Sequence, residues 1–133
     1  MKRAGFTLIE LLTVVTIIGL LAVVAIPKLA NLKGQAQVAA MKSDLRNLVT
    51  IEENYFAQNL KYATATDLAG LYTVTAGNSM PTIALTPDGW TATLTNAGVG
   101  QRCAVFVGST PAVPATKEGA PACAPSGSST VTP

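Results

Sequence analysis

Hydrophobic and polar positions divide this chain into an aperiodic apolar stretch, a helical-period stretch and an alternating stretch. A short basic start, "MKRAG", gives way at Phe6 to a run that stays apolar as far as Ile26 and holds one charge, Glu10. As a helix that run measures about 32 Å, close to one hydrocarbon thickness. Pro27 follows; it lacks an N–H and its ring clashes with the carbonyl of Val23, so a bent or broken helix is expected there. Gly19 weakens the same helix by roughly 1 kcal/mol relative to Ala. It equally suits close packing of helices in a membrane.

From Lys28 to about Leu60 the pattern turns periodic. Leu29, Leu32, Ala36, Ala39, Met41, Leu45, Leu48, Tyr55 and Phe56 recur at spacings of three and four, with Glu52 the only break in the row. The stretch "VAAMKSDLRNLVTIEENYFAQ" holds no Pro or Gly, so nothing in it stops a helix. An amphipathic helix over 28–60, with its apolar stripe covering a sheet, is expected. A loop follows over 63–76, with a short helical start at "TATDLAG" and Thr66 as its N-cap.

Alternation then takes over. "PTIALT", "WTATLT" and "CAVFVGS" read as strands separated by turns at Pro87–Gly89 and Asn96–Gly100. In the second, Trp90, Ala92 and Leu94 fall on one face and three threonines on the other. The expected fold is α+β: a long N-terminal helix, its apolar half protruding, its amphipathic half packed on a small antiparallel sheet within about 72–108. The tail from Thr110 is rich in Pro, Ala, Ser and Thr, which favours disorder beyond Cys123.

Composition narrows the chemistry. In 133 residues with 49% hydrophobic content there are nine basic and seven acidic side chains, a net charge of +2. No basic tract marks a nucleic-acid surface. There is no His, and no phosphate-binding G-x-x-x-x-G-K-[ST] motif, so neither the commonest general base nor a nucleotide site is present. Asp67, Asp88 and Glu118 are scattered turn and loop residues rather than a catalytic set, and no enzyme activity, metal or cofactor is expected. Seven aromatics are accounted for by core packing rather than by electron conduction. The cysteines, Cys103 and Cys123, are too few for a zinc site. In an exported protein they would form a disulfide, worth roughly 3 kcal/mol in the chain-entropy model, closing a loop at the sheet edge. In a cytosolic protein they would stay free.

Three readings compete for the N-terminus. A secretory signal needs an apolar run of about 7 to 15 residues; this one is longer and contains Glu10. A charge at the centre of a membrane helix costs about 2.5–3.5 kcal/mol, less near the interface. A plain anchor tolerates Glu10 close to the headgroups, but Lys2 and Arg3 before the run and Lys28 and Lys33 after it leave the orientation unspecified. The string "KRAGFTLIELLTVVTIIGLLAVVAIP" closely resembles the N-terminus of type IV prepilins and their pseudopilin relatives.

That resemblance implies a leader, residues 1–5, cut after Gly5 by a prepilin peptidase that N-methylates Phe6. It implies an assembly role for Glu10, paired with the Phe6 amine of a neighbour, and a helix that loosens at Gly19 and Pro27. Residues 6–27 would then be the transmembrane and filament-core helix and 28–133 the head. Its partners would be further copies of itself, the membrane, an assembly platform and a cytoplasmic ATPase. The location would be the inner membrane before assembly and an extracellular filament afterwards. An apolar rod with no partner inside its own chain must be buried outside the membrane, and a staggered bundle of identical rods does so. A type IV pilus subunit is favoured over a type II secretion pseudopilin or minor pilin. The C-terminal third offers Cys103 and Cys123, as many pilins do, rather than the acidic calcium-binding loop of the major pseudopilin.

Overall fold

The computed structural model describes Met1 and residues 5–128. The elements run helix α1 (Leu8–Asn59), then strands β1 (Thr82–Thr86), β2 (Gly89–Asn96), β3 (Gln101–Val107) and β4 (Ala122–Pro125). The chain forms two compact units, Met1–Gln35 and Ala36 onward.

In the first unit the large hydrophobic side chains from Phe6 to Leu32 are all exposed, from 49% at Val14 to 85% at Phe6. The stretch is long and apolar enough to cross a membrane. Of the bend or break expected at Pro27, the break is absent: Pro27 lies inside α1, which continues on both sides of it. The missing N–H removes one bond of the ladder, and the flanking turns keep theirs.

The second unit is built on a four-stranded antiparallel sheet in the order β1-β2-β3-β4. The three expected strands are present, and the alternation in β2 holds: Trp90, Ala92 and Leu94 are buried, while the intervening threonines reach the surface. They join Met41, Leu45 and Leu48 of α1, with Cys103 and Val105 of β3, in the main core. The buried stripe of α1 is shorter than its period suggests. Leu29, Leu32, Ala36 and Ala39 match the spacing but are exposed, and burial begins at Met41. Periodicity marks a face, whereas burial needs a partner opposite it.

β4 departs from the expected loop and mobile tail. Cys103 and Cys123 do form a disulfide, but as directly opposed residues of β3 and β4. The segment between them folds over the outer face of β3 rather than lying at the sheet edge. There Ala104 and Phe106 pack with Ala115, Ala112 and Ala122 in a second, smaller core. β3 is therefore buried on both faces. The remaining tail positions, 129–133, lie outside the described residues.

Two carboxylates on α1 hold the loop that links helix to sheet. Asp44, 5% exposed, accepts hydrogen bonds from the Thr75 N–H (2.9 Å), the Thr75 hydroxyl (2.9 Å) and the Asn78 amide (2.6 Å). Asn78 in turn accepts from Asn96 at 2.8 Å, which ties the loop to the end of β2. Glu52, the break in the apolar row, is fully buried and accepts from the Ala63 N–H at 2.8 Å. α1 ends at Asn59, and the next residue, Leu60, is a left-handed cap, with a positive φ of 56° and an N–H bond to the Phe56 carbonyl at 2.8 Å. The segment 65–71 is a series of turns, not a helix. Its cap is Thr64 rather than Thr66: the Thr64 hydroxyl and N–H both donate to Asp67, at 2.7 and 2.9 Å.

Candidate processing and assembly site

Gly5 and Phe6 are exposed, non-helical residues immediately before α1. Among the described residues nothing lies within 4 Å of the position a Gly5 Cβ would occupy. An extended, uncovered backbone is what a peptidase needs to engage a scissile bond. Lys2 and Arg3 lie outside the described residues.

Glu10 does not hang free. Its Oε2 accepts from the Thr7 N–H at 2.8 Å and from the Thr7 hydroxyl at 2.7 Å, and the Glu10 N–H donates to the Thr7 hydroxyl at 3.4 Å. This is a capping box. It satisfies donors that a helix start leaves without partners, and it places a negative charge where the helix dipole favours one. The signal was present in the sequence as T-x-x-E just ahead of an apolar run.

The other polar groups of the run are also satisfied locally. Thr13 donates to the Ile9 carbonyl at 3.0 Å and Thr16 to the Leu12 carbonyl at 2.8 Å. Such back-bonding lets a hydroxyl sit in an apolar medium at little cost. Gly19 has nothing within 4 Å of its would-be Cβ, which leaves room for a second backbone to approach. Pro27 and Gly19 thus share the exposed helix with Glu10, while Cys103 and Cys123 belong to the head. Asp67 and Asp88 line one cleft of the head, and the carboxylates of Asp67, Asp88 and Glu118 each accept from a nearby backbone N–H, of Thr64, Ser109 and Gly108 respectively. Among the described residues no group of three or more His, Cys, Asp or Glu is placed to hold a metal ion.

The family model for the prokaryotic N-terminal methylation motif matches residues 1–26, the segment that holds Gly5, Phe6 and Glu10. Over 62 residues, 47% of this chain, the sequence is 37% identical to the type IV major pilin protein PilA of Myxococcus xanthus. Over 81 residues, 60% of this chain, it is 33% identical to the type II secretion system core protein G of Pseudomonas aeruginosa. The chain carries this motif and is similar to a type IV pilin and to a type II secretion core protein. A further relative, the type IV major fimbrial protein FimA of Dichelobacter nodosus, is 47% identical over 51 residues. The chain spans 28%, 57% and 33% of the lengths of these three relatives. The long helix and antiparallel sheet seen here are the pilin-like α+β architecture expected from the sequence, and these relatives are named as a pilin, a fimbrial protein and a secretion-system core component.

Proposed function

We propose that this chain is a structural, non-enzymatic subunit of a type IV pilus, stored in the inner membrane and polymerised through α1 into an extracellular filament. One observation carries the reading: an N-terminal methylation motif opens a helix whose apolar surface, from Phe6 to Leu32, is uncovered. Lipid can cover that surface in the membrane. Outside it, only other copies of the same helix offer matching apolar surface along the whole length. Cleavage after Gly5 would leave the Phe6–Thr7 amide intact, so the capping box would survive and hold the Glu10 carboxylate in place for the Phe6 amine of a neighbouring copy. A carboxylate and an ammonium pair poorly with lipid and well with each other, so such a pair sets register more than stability. Gly19 and Pro27 mark where the packed helix would unwind. The prepilin peptidase, platform protein and ATPase are the expected machinery.

A pseudopilin of type II secretion is the second reading. The match to core protein G is 81 residues long and so extends beyond Asn59 wherever it begins. The Cys103–Cys123 disulfide favours the pilus. Intact-mass measurement of the chain from sheared surface filaments and from inner membranes separates the two. Abundant sheared material lacking residues 1–5, one methyl heavier and two hydrogens lighter, is the expected result. Processed chain confined to membranes would establish the pseudopilin or minor-subunit reading. A chain that still begins at Met1 would overturn both.

A further inference from the structure

Beyond α1, the head carries apolar surface that no described residue covers. Leu60 and Leu85 are 82% and 51% exposed. With Phe56 and Tyr62, whose rings stack at 4.7 Å, they line a cleft of about 570 Å³. Asp67 and Asp88 line it too, opposed by a single cation, Lys61. Neither carboxylate is a loose surface charge. Asp67 is oriented by the Thr64 hydroxyl and N–H, and Asp88 by the Ser109 N–H at 2.8 Å. These same hydrogen bonds hold both carboxyls below the usual range, so both are ionised at neutral pH. Gly89 and Gly108 keep the Asp88 turn pressed against the end of β3: a Cβ at Gly89 would collide with the Val107 carbonyl, and one at Gly108 would crowd the Asp88 backbone. The cleft is thus a fixed, leucine-rimmed surface with a net negative charge.

The complementary surface occurs in the same sequence. Lys28, Leu29, Leu32 and Lys33 are all exposed, with Leu29 at 68% and Leu32 at 53%. Spacings of three and four residues put the four on one face of α1, two leucines beside two ammonium groups. We propose that the head cleft of one subunit receives the Lys28–Lys33 face of α1 from a second copy. The leucines pack on Leu60 and Leu85, and the lysines lie beside Asp67 and Asp88. The contact joins two different patches, so it can repeat from copy to copy, and with a rotation that does not close a ring it builds an open filament. It rests on the filament reading above.

The test uses full-length chain assembled in cells, with Leu85→p-benzoylphenylalanine as a photo-cross-linker at an exposed position. After irradiation of sheared filaments, peptide mass spectrometry is expected to find residue 85 joined to residues 28–33 of another copy. Filaments that form normally but cross-link elsewhere, or not at all, overturn the proposal and leave the filament reading intact. A wild-type chain absent from every assembled fraction overturns both. A charge exchange gives an independent check: Lys28→Glu with Lys33→Glu lowers the assembled fraction several-fold, and adding Asp88→Lys restores part of it. Unchanged assembly in the lysine variant counts against the contact.

Discussion

Glu52 is fully buried, with one oxygen bonded to the Ala63 N–H and the other, Oε1, without a hydrogen-bond partner among the described residues. Burial raises its pKa above 4.5, and the nearby Asp67 and Glu53 charges push the same way. The folded state therefore holds this proton more tightly than the unfolded chain does. Its contribution to stability is full below pH 4.5 and is lost as pH rises through the folded pKa. Glu52→Gln keeps the acceptor for Ala63 and removes the charge. Thermal melts of the full chain in detergent should show Glu52→Gln more stable than wild type at neutral pH, with the gap closing in acid. A gap independent of pH would count against the charge as the cause. Tyr72 behaves alike at the other end of the scale. Its hydroxyl donates to the Asp44 carbonyl at 2.9 Å, and burial, with the Asp44 charge, pushes its pKa up to about 12. Stability should fall between pH 10.0 and about 12, and Tyr72→Phe should flatten that limb. Asp44 is the stronger anchor. Asp44→Ala leaves the Thr75 and Asn78 donors without their acceptor, at a cost of about 3 kcal/mol. A melting point unchanged by that substitution would show that water takes its place.

At the level of elements, legibility followed the strength of the local pattern. β2 was readable because its alternation is strict and its inward residues are large. β4, the short "ACAP", has no such signal; it is a strand because β3 and the disulfide hold it in register. The same partner dependence explains the shortened helical stripe, where Leu29 and Leu32 fit the spacing but lack a sheet to cover. It also explains Asp44, which sits next to Leu45 in the buried stripe and whose partners, Thr75 and Asn78, are 31 and 34 residues away in sequence. The prediction at this scale concerns β4. Replacing Cys103 and Cys123 together by Ser should cost roughly 3 kcal/mol in the chain-entropy model. Hydrogen exchange should quicken first in residues 112–125, which the disulfide keeps over Phe106, and last in β2. Uniform acceleration across the sheet would mean that β4 and the main core unfold as one unit.

For the whole molecule the governing fact is an imbalance: the head buries a core of its own and leaves a few large apolar residues exposed, whereas the first half of α1 buries none of its large ones. In the proposed reading that surface is covered first by lipid and then by further copies of the chain, and two substitutions separate those stages. Gly5→Val adds a branched side chain beside the scissile bond where the structure shows open space. The expected product is membrane-inserted chain that retains residues 1–5, seen by intact mass; normal trimming would show that the peptidase tolerates bulk there. Glu10→Val acts one step later. It removes the acceptor of the capping box, a local loss of about 1 kcal/mol, too small to expel so apolar a helix from a bilayer. The chain should therefore still insert and still be trimmed, yet be depleted from sheared filaments, because no carboxylate meets the incoming Phe6 amine. Thr7→Val disrupts the same box but leaves the carboxylate. If Thr7→Val depletes filaments as severely as Glu10→Val, the box and not the charge pair is what assembly requires; if only Glu10→Val does, the carboxylate acts between subunits.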